Sequence, residues 1–583
     1  MVDYYEKSEV REGMRIDWDV PIRMDDGLVL RANVYRPVKD GRYPTIMSYG
    51  PYGKDLAFQD LYSTAWEIML KNHPDVGRNS TNIHQSWEVV DPEKWVPDGY
   101  VCVRVDSRGA GRSPGFLEHF NRRETKDFHD CIEWAGTQPW SNGKVGLNGI
   151  SYYGTNQWQV AASQPPHLAA ICIWEGQADF YREASHHGGI YSDFIGNWYD
   201  LQIMPIQHGY GERGYRSRAN GQLAAGPSTL SDAELKKNRV DLRADFAKHA
   251  FDDAFYAERR PDMSKVKVPL LSCANWGGQP LHPRGNYRGF NEAASRNKWL
   301  EVHGLEHWTL FYTDYGIALQ KRFFDKFLKG KRNDWSEQPK VFLNVRHPGE
   351  KFVPRAEKEW PLKRTKWTKF HLDPANHGLT TKRSRAAAAL AYKASGDGLT
   401  FMSAPLEQET ELCGPMAAKL WISSSTADAD LFVVVRAFAP DFKELTFHGA
   451  LDPHTPIAQG WLRASHRKLD KAKSKPYRPY HPHDGKEPLT PGEVYELDIE
   501  IHPSGVVLPK GYRLAFSVRG RDYVFPGVAG SRLSTTKNAF TGVGPFIHEV
   551  PEDRPAAIFD NTVTLHFDAA RRPYVLLPVI PAM

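Results

Sequence analysis

Apolar residues in the first 330 positions come in short unbroken runs, separated by stretches of helical spacing. Residues 16–37 (IDWDVPIRMDDGLVLRANVYRP) form two alternating runs about Asp26-Gly27, which predicts a hairpin turned on that pair. The apolar run YPTIMSYG (43–50) ends in glycine, and a long segment of helical spacing follows to about residue 95. GYVCVRVDSRGAGRSPG (99–115) predicts a buried strand running into a Gly-rich loop. Helices are predicted over 124–138, where Phe128, Cys131, Ile132 and Trp134 make one apolar stripe, over 155–164, ended by Pro165-Pro166, and over 316–330, stopped by glycine. Runs at 144–149, 168–176, 266–275 and 297–304 predict further strands. Strands and helices alternating in this order imply a mostly parallel sheet with helices on both faces.

The order breaks between about 180 and 265, in a stretch that is aromatic, His-rich and then strongly charged. It reads as a helical insertion between two sheet strands, a cap over a ligand pocket. After about 340 helical periodicity disappears, and short alternating runs such as DLFVVVRAFAPD and GYRLAFSVRG stand between Pro/Gly turns, which predicts an all-β sandwich. The Lys-rich stretch 465–492 reads as a long solvated surface loop.

Bulk properties narrow the function classes. A chain of 583 residues needs two to four domains at roughly 100–200 residues each. The net charge of +5 is small for that length, and no basic stripe interleaves with aromatics, so no nucleic-acid partner is expected. The N-terminus is charged with no apolar core segment, and no apolar run reaches the ~18 residues of a spanning helix. No secretory signal and no membrane partner are therefore expected. The five cysteines, at 102, 131, 172, 273 and 413, are odd in number and widely spaced, and three lie inside apolar runs. They read as reduced buried thiols of a cytoplasmic protein, not as a disulfide frame or a metal site.

The chemistry concentrates at 148–155, NGISYYGT. Gly149, Ser151 and Gly154 give G-x-S-Y-x-G, one residue away from the nucleophile elbow G-x-S-x-G, with a strand before it and a helix after it. The bland alternative is a glycine loop with serine capping the helix. A serine nucleophile needs a base, an acid to orient the base, and donors for the oxyanion. The run WLEVHGLEHW ends at the last strand of the sheet and makes His307 the leading base, with His303 more in keeping with a buried strand-end histidine. His186-His187 in the cap are a weak metal signal, and neither a metal nor a cofactor is expected. The acid is harder to place, because no Asp or Glu occurs from Val268 to Asn291. Asn275 could orient an imidazole but carries no charge. Glu175, at the C-terminal end of the strand after the elbow helix, is the first choice, Asp179 the second, and a cap carboxylate the remaining option. Backbone N–H of Tyr152 and the phenol of Tyr52, in the loop after YPTIMSYG, are the expected oxyanion donors.

These residues bring a resemblance into view. VYRP (34–37), GPYGK (50–54), VRVDSRGAGRSPG (103–115), QPWSNGKVGLNGISYYGTNQWQVA (138–161), ADFYRE (178–183) and VHGLEHW (302–308), with GPMAAKLWISSSTADADLFVVV further on, resemble the cocaine esterase/X-Pro dipeptidyl-peptidase group of α/β-hydrolases, the CocE/NonD type of peptidase family S15. The likeness covers nearly the whole chain. It implies an α/β-hydrolase domain over 1–180 and 266–335, a helical cap over 181–265, and a jelly-roll (galactose-binding-like) β-sandwich over 340–583. By match it implies Ser151 as nucleophile, His307 as base, and Tyr152 and Tyr52 as donors. Members usually carry W-Y-D before the histidine strand; here NWGG puts Gly278 about where the aspartate should be, which strengthens the case for Glu175.

The expected activity is hydrolysis of carboxylic esters through an acyl-enzyme, with a small-molecule ester or amide as substrate. The same machinery would cleave amides or peptides, as X-Pro dipeptidyl-peptidases and acylases do. The dipeptidyl-peptidase form needs carboxylates for a substrate ammonium, and Glu183, Asp193 and Asp200 are the cap candidates. An inactive binding protein on the hydrolase scaffold is the reading from a different class. Oligomeric state, homo-oligomers included, stays open.

Overall fold

A computed structural model describes residues 4–384, 386–527 and 541–582. Its first sheet opens antiparallel. β1 (Lys7–Arg11), β2 (Met14–Arg23) and β3 (Val29–Pro37) form a meander, with Arg23 opposite Val29 across the Asp26-Gly27 turn. β4 (Tyr43–Gly50), β5 (Val101–Asp106), β6 (Ser141–Ile150) and β7 (Leu168–Trp174) follow. The two-residue strands β8 (His186–His187) and β9 (Ile190–Tyr191) pair apart from the sheet. The sheet then resumes with β10 (Leu270–Asn275), β11 (Lys298–His303), β12 (Val341–His347) and β13 (Lys351–Glu357).

Spatial order is β1-β2-β3-β5-β4-β6-β7-β10-β11-β12-β13, parallel from β5 through β12. Every residue of β5 and β10 is buried, as a parallel sheet covered on both faces requires. Helices Arg122–Gly136, Tyr152–Ala162 and Asp314–Leu328 pack on the sheet close to where the periodicity puts them. The first starts two residues early because the Asn121 carboxamide accepts from Glu124 N at 2.8 Å and caps it.

Strands β12 and β13, expected as the start of the β-sandwich from residue 340, instead extend the first sheet, because β12 pairs in parallel with β11. Two stretches earlier in the chain also differ from expectation. The segment before residue 95 holds only the short helices Phe58–Leu61, Ser63–Asn72 and Pro92–Trp95. Pro74 pushes His73 out of helical geometry, and Asn79 and Asn82 adopt positive φ, so the apolar spacing beyond residue 72 belongs to an irregular wrap. Between 181 and 265 the helical character comes in turns; the longest helix there, Leu242–Lys248, has seven residues.

Beyond β13 the chain is antiparallel β. The long strands Thr410–Ser424 and Tyr495–Leu508 pair along most of their length, and Asp430–Phe438 pairs with Ala458–Arg463 and Arg513–Arg519. Leu420, Ile422, Val433, Ile499, Phe516 and Leu565 fill the core between them. The stretch 465–492 lacks strands, as expected, yet it is not merely a solvated loop. It folds back against the segment that begins at residue 181, burying His481 and His483, and the Arg182 guanidinium donates to the His481 carbonyl at 2.8 Å. All five cysteines are buried and unpaired. Among the described residues no helix is long and apolar enough to cross a membrane.

Candidate active site

β6 delivers the chain to Ser151, which sits at φ 56°, ψ −110°, before helix Tyr152–Ala162 begins. Such a backbone is strained for any residue with a Cβ. The serine does not cap the helix; its hydroxyl meets His282 Nε2 at 3.0 Å. Close contacts explain the glycines around it. A Cβ on Gly149 would stand 2.4 Å from Tyr153 Cβ, and one on Gly154 would stand 2.7 Å from the Trp174 carbonyl. Tyr153 itself need not be glycine, because its ring lies over Gly50, where a Cβ would come within 2.6 Å of it. Tyr152 opens the helix, so its N–H has no acceptor within the helix and is free to bind a ligand oxygen.

Glu175 leaves the end of β7 at φ 46° and is completely buried. Its Oε2 accepts from His307 Nδ1 at 2.8 Å, while Oε1 accepts from Asn275 Nδ2 at 3.1 Å and stands 3.6 Å from His303 Nε2. Asn275 therefore holds the carboxylate rather than an imidazole. A Cβ built on Gly278 would lie 3.4 Å from Glu175 Oε2. The carboxylate from β7 thus lies beside the point where a Gly278 side chain would begin. Burial alone would raise the Glu175 pKa, but His307 and His303 outweigh it and hold the group well below the usual carboxylate range.

No hydrogen bond joins His307 to Ser151. Its Nε2 meets Glu88 Oε1 at 2.9 Å, so both ring nitrogens are bonded to carboxylates. Burial opposes its charge, but Glu175 and Glu88 prevail and raise its pKa to about 10. The contact expected between Ser151 and His307 is made instead by His282, whose ring stacks on His307 at 4.9 Å between centroids and 15° between planes. Burial, and then the charge of His307, push the His282 pKa down to about 3. Burial drives the Glu88 carboxyl up to about 7.

His282 and Glu88 escaped the sequence analysis. Glu88 lies in the irregular wrap, far from any motif. His282 precedes Pro283 at the head of helix Pro283–Glu292, and the only signal for it was a helix start four residues beyond the missing aspartate. That helix is locked to the loop after Glu175: Asn286 Oδ1 accepts from Gly176 N at 3.0 Å, and a Cβ on Gly285 would lie 2.5 Å from the Gly176 carbonyl.

Tyr52 is buried edge-on against Tyr152 and Tyr153. Its phenol oxygen accepts from Trp198 Nε1 at 2.8 Å, which leaves its own proton to donate. Its loop is anchored two residues on, where buried Lys54 Nζ bonds Asp19 at 2.7 Å and Asp55 at 2.6 Å, and Arg112 Nε bonds Asp19 at 2.6 Å. Burial would raise the Asp19 pKa, but Lys54 and Arg112 reverse this to about 2.

The remaining candidates lie in other networks. Asp179 bonds Arg182 at 3.0 Å and Arg260 at 3.2 Å. His186 bonds Ser185 at 2.9 Å, and His187 bonds His548 at 2.7 Å. Glu183 accepts from two backbone N–H groups and pairs with Arg284 at 3.3 Å, and Asp200 pairs with Arg243 at 3.1 Å. Among the described residues, Glu175, His282 and His307 bring ligand atoms within 4.8 Å of one another. Two ligands on one tetrahedral zinc, each roughly 2.0–2.1 Å from it, stand about 3.4 Å apart. The 2.8 Å between His307 Nδ1 and Glu175 Oε2 suits a shared proton better.

Residues 26–309 match the X-Pro dipeptidyl-peptidase (S15 family) domain, and residues 333–575 match the X-Pro dipeptidyl-peptidase C-terminal non-catalytic domain. A cocaine esterase of Rhodococcus sp. is 24% identical, over 87% of this chain and 90% of that protein. A putative Xaa-Pro dipeptidyl-peptidase of Rhodopirellula baltica is 22% identical, over 91% of this chain and 87% of its own. The crystal structure of a CocE/NonD family hydrolase from Staphylococcus aureus superposes with a TM-score of 0.83 at 32% identity, covering 97% of this chain and 94% of that one. An α-amino acid ester hydrolase shares the fold, with a TM-score of 0.68 at 17% identity.

Proposed function

We propose, from the premise that this chain belongs to the CocE/NonD family of α/β-hydrolases, with the S15 domain followed by the C-terminal domain of X-Pro dipeptidyl-peptidases, that it is a serine hydrolase cleaving carboxylic esters. One observation carries the reading: Ser151 stands on a strained strand-to-helix turn with its hydroxyl bonded to a histidine, beside a second histidine that is bonded to a buried carboxylate. Ser151 attacks the substrate carbonyl as its proton passes to the histidine pair served by Glu175. Tyr152 N–H and the Tyr52 hydroxyl stabilise the oxyanion. The protonated histidine then gives its proton to the leaving alkoxide, and water releases the acyl group by the same steps in reverse.

The ester preference is supported by the cap. Glu183 and Asp200, two of the three cap candidates for holding a substrate ammonium, are each paired with an arginine. Amide or peptide cleavage is the second reading, favoured by the S15 domain match. We read the C-terminal β-domain as a jelly roll, a reading supported by its long antiparallel strands around one apolar core.

A fluorophosphonate should label the wild type and fail to label Ser151→Ala. A folded wild type that takes no label would sink the hydrolase reading. Hydrolysis of a panel of acyl esters beside an X-Pro anilide separates the two substrate classes.

A further inference from the structure

We propose that His282 is the catalytic base of Ser151, and that His307, clamped between Glu175 and Glu88, is a positioning residue. The inference rests on the serine-hydrolase reading and departs from the motif-based assignment of His307 as base.

Contact comes first. A base must reach the proton it takes, and His282 Nε2 is 3.0 Å from Ser151 Oγ. His307 has no ring nitrogen to offer, because Nδ1 is committed to Glu175 and Nε2 to Glu88. Whichever atom carries the proton in the Glu88 bond, that nitrogen is occupied. To accept at Nε2, His282 must carry its own proton on Nδ1, and Nδ1 faces Glu175 Oε2 at 3.9 Å. As the Ser151 proton arrives, an imidazolium forms, and closing that gap by about 1 Å gives it a charge-assisted hydrogen bond. Helix Pro283–Glu292, pinned to the Glu175 loop through Asn286, sets the separation.

Charge comes second. Two stacked imidazoliums would repel unless two negative charges accompany them. Glu175 and Glu88 supply both, one on each side of His307. Two carboxylates for two histidines support a protonated His282 beside a protonated His307. With a single aspartate the arrangement would support one imidazolium.

The step balances. As the Ser151 Oγ–carbon bond forms, the Oγ proton moves to His282 Nε2 and the carbonyl π pair moves to oxygen. Collapse expels the leaving group, which takes the proton from Nε2. Water attacks the acyl carbon and gives one proton to Nε2, and Nε2 returns it to Ser151 Oγ as the acid departs.

The test compares phosphonylation rates of Ser151 by a fluorophosphonate in the wild type, His282→Asn and His307→Asn, with folding checked by near-UV circular dichroism. His282→Asn should slow labelling by ~1,000-fold or more, and imidazole added to His282→Ala should restore part of the rate. His307→Asn should slow labelling by ~10–100-fold, with no rescue of His307→Ala by imidazole. His282→Gln, which keeps the volume and an amide facing Glu175, guards against misfolding and should be as slow as the asparagine variant. Labelling of His282→Asn within tenfold of wild type, or imidazole rescue confined to His307→Ala, overturns the assignment. Failure of the wild type to label would instead strike at the hydrolase reading on which the assignment rests.

Discussion

Glu175 stands beside Gly278, the position where members of the family usually carry an aspartate, and the carboxylate can be moved from one position to the other by mutation. Gly278→Asp alone should crowd two carboxylates together, since its Cβ would be 3.4 Å from Glu175 Oε2, and should cut kcat/KM by about 100-fold or more. Glu175→Gln alone should cost ~10,000-fold in kcat with the fold intact, by analogy with the loss of a triad carboxylate. In Gly278→Asp combined with Glu175→Gly, the aspartate should recover at least tenfold over Glu175→Gln; ester kinetics on all three would show it. Glu175 could be read from the sequence because a residue at the C-terminal end of a parallel strand faces the crevice whatever the loops do. His282 and Glu88 could not, because their positions depend on a helix and an irregular wrap whose packing leaves no periodic trace.

Glu88 also sets a pH dependence. Its carboxyl, pushed up to about 7 by burial, faces His307 and Glu175 across the site and the Tyr52, Tyr62, Tyr153 and Tyr312 phenols around it. All four phenols have raised pKa values and stay neutral near pH 7. Below about 7 Glu88 is neutral, one negative charge faces two histidines, and protonation of His282 in the transition state is disfavoured. Above it the second charge is present. The profile of kcat/KM should therefore rise with pH through about 7, and Glu88→Gln should flatten that limb at a lower plateau.

Among the elements, the loop carrying Tyr52 depends on Lys54, whose ammonium lies between the Asp19 and Asp55 carboxylates with no solvent exposure of its side chain. Lys54→Met leaves the buried Asp55 carboxylate without its cation and Asp19 with Arg112 alone, at a cost of ~3–5 kcal/mol. Chemical denaturation should register that loss, and oxyanion stabilisation should fall with it as a lower kcat. The sheet strands were legible because apolar runs of four to eight residues between turn signals have few other uses. Helical spacing before residue 95 misled, because aromatic and apolar residues there pack as a wrap around Phe58, Tyr62, Trp66 and Trp87, and periodicity alone does not separate the two.

At the scale of the molecule, the β-domain reaches the loops of the candidate site directly. Ala450 N–H donates to the Gly277 carbonyl at 3.0 Å, and Ala450 accepts from His307 N–H at 2.9 Å. One residue of the C-terminal half thus braces the loops bearing both histidines. The fit is tight: a Cβ on Gly277 would lie 2.5 Å from Gly449 Cα. Gly277→Ala should push the two halves apart, lowering kcat by ~10–100-fold with a smaller change in KM and a reduced thermal midpoint. Elsewhere the contact is ionic, as in Arg284 with Glu500 at 3.2 Å.

The Ala450 brace constrains how such a protein can diverge. Surface loops of the β-domain are free to drift, but the tip that carries Gly449 and Ala450 must change in step with Gly277 and the His307 loop. A chimera joining this hydrolase half to a foreign β-domain would inherit Ser151 and Glu175 intact, yet lose the registration of its histidines. The halves of this chain are therefore heritable as a pair, and recombination between relatives should succeed only where the crossover carries both sides of that backbone contact together.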